Sequence, residues 1–168
     1  MPPSSSNGAS RRRKEDAPQF TASAELAGNL QEIVADLVEL HLQGKQAHWN
    51  VVGHNFRDLH LQLDEVVDDA REAADTIAER MRALGSCPDG RSDTVAATTT
   101  LPQFPPDEQN VSAVVDLITA RLRAVVDTVR RVHDAVDAED PSTADLLHGI
   151  IDSLEKHAWM VGAENRSV

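Results

Sequence analysis

The sequence predicts an all-α fold: an antiparallel four-helix bundle with a short helix in the long connection between helices two and three. Three observations predict it. Apolar residues recur at alternating intervals of three and four in four separate segments. The composition is aliphatic and acidic, with 40% hydrophobic residues but only 3% aromatic and no Tyr, which suits helices packed through Ala, Val and Leu. No segment alternates with the period of two expected of a half-buried strand, and there is no internal repeat.

The chain divides into residues 1–20, a flexible basic N-terminal tail, and residues 21–168, one helical domain. The stretch MPPSSSNGASRRRKEDAPQ is Pro, Ser, Gly and charge, a composition expected to be disordered in isolation. Thr21 or Ser23 can cap the first helix, with Glu25 in its first turn. Leu26, Leu30, Ile33, Leu37 and Leu40 form its apolar stripe, and the pattern runs to about His48. VVGHN breaks it, with Gly53 allowing a turn and Asn55 placed to cap the second helix. Phe56, Leu59, Leu63, Val66, Ala70, Ala73, Ile77, Met81 and Leu84 carry that helix to near Gly85, about 30 residues, long for a globular helix.

GSCPDGRSDTVAATTTLPQFPPDEQ is the long connection, of the kind found in four-helix folds with one crossover. Val111, Val115, Ile118, Leu122, Val125, Val129, Val132 and Val136 mark the third helix. Asp140 caps the fourth, with Pro141 at its first position. Leu147, Ile150, Leu154 and Ala158 give its buried face. Phe56, Phe104 and Trp159 are most simply packing residues. His41, His54, His133, His148 and His157 read as packing or surface residues.

Composition excludes several classes. Cys87 is the only cysteine, so neither an intrachain disulfide nor a thiolate zinc cluster is possible. The N-terminus has no apolar h-region, and no run of about 18 apolar residues exists, so the expected location is the cytoplasm. The formal net charge is −12. Residues 1–20 hold Arg11, Arg12, Arg13 and Lys14 against Glu15 and Asp16, a sum of +2, so the remainder carries −14. An acidic body repels nucleic acid and attracts cations.

The second helix holds the candidate chemistry. His60 and Asp64 lie one turn apart and project from one face, as do Asp75 and Glu79. The pairs are 15 residues apart, about 22 Å along the axis, far beyond the roughly 2.0–2.6 Å of first-shell metal bonds. One helix cannot close a site with all four. Two copies paired antiparallel about a two-fold axis between Asp69 and Ala70 bring His60 and Asp64 of one chain level with the other pair in the second chain. Symmetry then makes two equal sites per dimer, about 22 Å apart, with His48 leaning over the mouth of each. Nitrogen with carboxylate oxygen suits divalent iron, manganese or zinc. For iron the chemistry is oxidation: hard anionic carboxylates stabilise the ferric state, and few ligands leave positions open for an oxidant. A plain solvated face accounts for Glu65, Asp68, Asp69 and Glu72.

The segment AHWNVVGHNFRDLHLQLDE, then DTIAER, and LEKHAWM near the end resemble the signature of the Dps family, the small dodecameric relatives of ferritin. The resemblance covers nearly the whole chain from about residue 20. It implies a ferritin-like four-helix bundle and a hollow homo-dodecamer built from two-fold dimers. It implies ferroxidase sites at the dimer interfaces, with His48, His60 and Asp64 from one subunit and Asp75 and Glu79 from the other. Trp49 matches a tryptophan near the family's site. The implied activity is oxidation of Fe(II), preferably with hydrogen peroxide, and storage of ferric mineral. Iron enters such shells through acidic three-fold pores lined by the start of the fourth helix, which points to Asp140 and Asp145, with Glu139 or Asp137 beside them. Larger ferritins use Glu-x-x-His pairs inside one bundle, and no such set is evident here.

Family members differ in DNA binding. In this chain only the arm offers a mechanism: Arg11, Arg12, Arg13 and Lys14 on twelve arms can hold phosphates multivalently, placing the protein at the nucleoid. The alternative reading is a structural nucleoid protein with a weak or vestigial iron site. A third, a diiron enzyme acting on an organic substrate, requires a dry pocket inside one bundle.

Overall fold

The computed structural model describes residues 20–166. The arm residues Arg11, Arg12, Arg13 and Lys14 lie outside them. Four long helices form the bundle: α1 (Ala24–Asn50), α2 (Phe56–Ala83), α4 (Val111–Glu139) and α5 (Pro141–Ala163). The connection holds a short helix, α3 (Ser92–Thr98), as expected. α1 packs against α2 and α4 against α5 as two antiparallel hairpins; α1 also packs on α4, and α2 on α5.

Ser23 caps α1, its Oγ accepting from the Leu26 N–H at 3.0 Å. The Ser23 N–H and O–H donate to the Glu139 carboxylate at 2.8 and 2.6 Å, joining the start of α1 to the end of α4. The four predicted stripes meet in one aliphatic core. Leu30, Ile33, Leu63, Ile77, Leu122 and Leu147 are wholly buried. Gly44 permits close approach of α1 and α2: a Cβ there would lie 2.7 Å from Val67 Cγ2.

The structure corrects four expectations. Phe56 and Trp159 are exposed rather than packed. Phe56 is the first residue of α2, one turn before buried Leu59, and its place in the 3–4 stripe falls beyond the end of the core. A two-strand ladder exists, β1 (Val51–Val52) parallel to β2 (Gln109–Asn110). Two-residue strands carry no readable period. The ladder forms because the connection leaves the far end of α2 and returns the length of the bundle. Asn55 is in place before α2, but its backbone is left-handed (φ 62°) and its side chain makes no capping bond. Asn tolerates that conformation better than most residues, so it serves the turn rather than the helix dipole.

A buried carboxylate pins the connection. Asp36, on α1, is fully inaccessible. It accepts from Thr99 Oγ1 (2.8 Å), the Thr100 N–H (2.7 Å), Thr100 Oγ1 (2.7 Å) and Thr128 Oγ1 (2.8 Å). Such saturation is what lets a carboxyl group stay buried. Gln31 and Gln43 on the same helix bond the connection at Asp89 and Pro102. α1 thus holds the crossover along its length.

Candidate metal centre

The turn between α1 and α2 brings His48 and His60 together. His48 Nδ1 lies 2.9 Å from the His60 carbonyl oxygen, and His60 Nδ1 lies 2.8 Å from the His48 carbonyl oxygen. The rings stack with centroids 3.7 Å apart. A carbonyl only accepts, so each Nδ1 carries a proton, and in the neutral ring it is Nε2 that holds the lone pair. That is the tautomer a metal needs, fixed by the hydrogen bond on the other nitrogen.

Asp64 sits beside this pair. One of its oxygens is 3.2 Å from His48 Nδ1 and 2.5 Å from Lys45 Nζ. The Lys45 hydrogen bond holds the Asp64 carboxyl below its ordinary value; partial burial opposes this, and His48 adds to it. Lys45 was not singled out from the sequence. Its signal was the 3-residue interval to His48 in KQAH, which sets both on one face of α1.

Asp75 and Glu79 lie at the other end of α2, exposed. Neither carboxylate has a hydrogen-bond or ion-pair partner among the described residues. Asp75 borders a cleft of about 660 Å³ between α1 and α2, with Val34, Val38, Ala74 and Ala78 in its walls. α2 is unbroken from residue 56 to 83, so the separation of about 22 Å between the two pairs stands. Among the described residues of one chain, no group of three or more His, Cys, Asp or Glu is arranged to hold a metal. One chain places two imidazoles and a carboxylate at one end of α2 and two carboxylates at the other. Trp49 is 69% exposed at the end of α1, and Leu42 and Leu61 on the same two helices are exposed as well.

The start of α5 differs from its sequence reading. Asp140 is buried, and its carboxylate accepts from Arg80 Nη2 (2.6 Å) and from the Thr143 hydroxyl. Burial disfavours its charged form, but the Thr143 and Arg80 hydrogen bonds outweigh that and keep its carboxyl below the ordinary value. Arg80 follows Glu79 directly, so this ion pair anchors the Glu79 end of α2 to α5. Asp145 is 86% exposed and is the carboxylate that this segment presents to solvent. Glu139 is engaged by Ser23. Asp69, read as a wet-face residue, bonds Ser153 Oγ at 2.6 Å and His157 Nε2 at 2.7 Å.

A ferritin-like domain model matches residues 27–166. The DNA protection during starvation protein of Agrobacterium fabrum is 34% identical over 151 residues, covering 89% of this chain and 93% of that protein. DpsA14 from Streptomyces coelicolor superposes with a TM-score of 0.84 at 31% identity, covering 90% and 94% of the two chains. Dps from Microbacterium arborescens, solved in a high iron form, gives 0.80 at 33% identity, covering 86% and 97%.

Proposed function

The chain belongs to the Dps proteins of the ferritin-like family, and from that premise we propose that it is a ferroxidase and iron-storage protein whose oxidation site is completed by a second subunit. The observation that carries this reading is the split donor set. His48 and His60 are held by their Nδ1 hydrogen bonds beside Asp64, while Asp75 and Glu79 on the same helix have no partner among the described residues. Two-fold pairing of α2 joins the halves and forms two sites at once. Six such dimers make a dodecamer with an enclosed volume for ferric mineral.

Fe(II) is the substrate. The donor set fits it: imidazole nitrogen holds the ferrous ion, and three carboxylates favour the ferric product. Hydrogen peroxide is the oxidant of choice in this reading. Two Fe(II) ions each give one electron to one peroxide, its O–O bond breaks, and both oxygens end as water or hydroxide. No one-electron product is released, which is how DNA is spared. The Asp64–Lys45 pair keeps the carboxylate ionised before iron arrives, and Lys45 withdraws when the metal takes the shared oxygen. Asp145 draws Fe(II) toward the shell, with Asp140 holding the start of α5 in place through Arg80. Trp49 lies on the surface that the partner covers. Arg11, Arg12, Arg13 and Lys14 supply salt-sensitive contacts to DNA phosphates. The protein acts in the cytoplasm; no described helix is long and apolar enough to cross a membrane.

The test is anaerobic Fe(II) loading followed by a stoichiometric peroxide pulse, with ferric absorbance and radical trapping recorded together. Wild type oxidises fast with little radical, and the double variant His60→Ala/Glu79→Ala does not. Equal slow rates in both, with DNA retained, would instead favour a structural nucleoid protein. Deleting residues 1–14 abolishes DNA compaction and leaves iron oxidation intact.

A further inference from the structure

A second pair of histidines converges away from the centre described above. His133 on α4 and His148 on α5 place their Nε2 atoms 2.8 Å apart, with ring centroids at 4.6 Å. Behind each ring stands a carboxylate. Asp134 Oδ1 is 3.4 Å from His133 Nδ1, and Asp145 Oδ1 is 3.8 Å from His148 Nδ1. His148 is exposed and His133 is partly so. A small open pocket of about 160 Å³ borders them, walled also by Arg130 and Ile151.

Asp134 favours a proton on His133 Nδ1, which leaves His133 Nε2 as an acceptor facing His148 Nε2. The two Nε2 atoms meet at 2.8 Å, a distance at which one ring donates its N–H to the other. A divalent cation seated between them takes the place of that single shared proton and draws a lone pair from each ring. Carboxylate–histidine–metal relays have this form: the outer carboxylate fixes the tautomer and strengthens the inner nitrogen as a donor.

We propose that His133 and His148 form a surface binding site for a borderline divalent cation of the first transition row, Zn(II) or Fe(II). With metal–nitrogen bonds of about 2.0–2.1 Å, the observed nitrogen separation corresponds to a cis angle of roughly 90°, and opening by about 0.5 Å gives a tetrahedral one. Only two protein ligands are supplied, so water completes the shell and the ion is held exchangeably. Nitrogen donors select against Mg(II) and Ca(II). The site is built from α4 and α5 of one chain and needs no second subunit, unlike the ferroxidase centre.

The experiment is isothermal titration of the assembled full-length protein with Zn(II), in the His60→Ala/Glu79→Ala background that removes the other centre. One site per chain is expected in that background. His133→Ala and His148→Ala should each abolish it, and Asp134→Asn should weaken it by about tenfold. Cu(II) bound to the same background should give an electron paramagnetic resonance pattern of two equivalent imidazole nitrogens, lost in either histidine variant. Native mass and helical circular dichroism check that the variants assemble. Zinc stoichiometry unchanged by His148→Ala would overturn the proposal, as would absence of binding in the background protein. Because that background is already inactive, failure here is separate from failure of the ferroxidase reading.

Discussion

His48 and His60 each hold the other's backbone carbonyl through Nδ1, at 2.9 and 2.8 Å, with their rings stacked 3.7 Å apart. The end of α1 and the second turn of α2 are thereby locked as one unit, which would preorganise two Nε2 donors for the proposed metal centre. Removing either ring removes a ligand and the orientation of its neighbour. His60→Ala and His48→Ala should each lower the initial rate of Fe(II) oxidation by at least about tenfold. His54→Ala, on the exposed turn, should leave the rate unchanged. Stopped-flow ferric absorbance reads both; an undiminished rate in His60→Ala would remove this pair from the mechanism.

In the proposed centre Lys45 would compete with metal for Asp64. Its ammonium lies 2.5 Å from the oxygen that a metal ion would take. Lys45→Met keeps the stem and removes the charge, so the Asp64 carboxyl should rise toward its ordinary value and Fe(II) should bind several-fold more tightly. Anaerobic calorimetry measures this. Weaker binding in Lys45→Met would mean that Lys45 organises the site rather than obstructs it.

Asp36 ties the crossover to α1. Asp36→Ala leaves the buried Thr128 hydroxyl and the half-buried Thr99 hydroxyl without their acceptor, while the exposed Thr100 can turn to water. A loss of about 2 kcal/mol is expected, the cost of stranding a buried donor and losing the bonds that pin the crossover. Urea denaturation of the assembled protein gives the figure, and a loss below about 1 kcal/mol would show that water replaces the carboxylate.

The Asp69–His157–Ser153 contact links α2 to α5 and should be felt in acid. Burial raises the Asp69 carboxyl, but the Ser153 and His157 hydrogen bonds prevail and hold it below the ordinary 3.8. A depressed folded value means that the contribution is present above the unfolded value and is lost as pH falls through the folded one. The side chain is 43% exposed, so the contribution is under about 1 kcal/mol after solvent screening. Asp69→Asn should therefore flatten the acid limb of the stability profile between about pH 5 and 2 while matching wild-type slope near neutrality. A parallel offset at all pH values would contradict this assignment.

The helices were legible because their 3–4 stripes are uninterrupted from Leu26 to Leu40 and from Val111 to Val136. The spacing of His60, Asp64, Asp75 and Glu79 was legible because a straight helix converts residue number into distance. What sequence could not carry was long-range pairing of polar groups. Asp36 meets Thr100 and Thr128 across intervals of 64 and 92 residues, and nothing local marks it. Asp140 fitted both a cap and a pore by position, and only the Arg80 contact distinguishes its commitment. His133 and His148 looked like isolated surface residues because they meet only when α4 and α5 fold together. Phe56 failed for the opposite reason: it satisfied the helical period yet lies beyond the end of the core.

The central claim is that each oxidation centre takes its two halves from different subunits, and subunit mixing tests it most directly. His60→Ala and Glu79→Ala should each be impaired alone, since each damages both sites of its own dimer. When the two are unfolded together and reassembled, a mixed dimer holds one doubly damaged site and one intact site. Random pairing puts half the dimers in that state, so about a quarter of wild-type Fe(II) oxidation activity should return. Recovery to that level is the predicted result. Mixed assemblies of confirmed composition with no activity beyond the two parents would contradict a shared site.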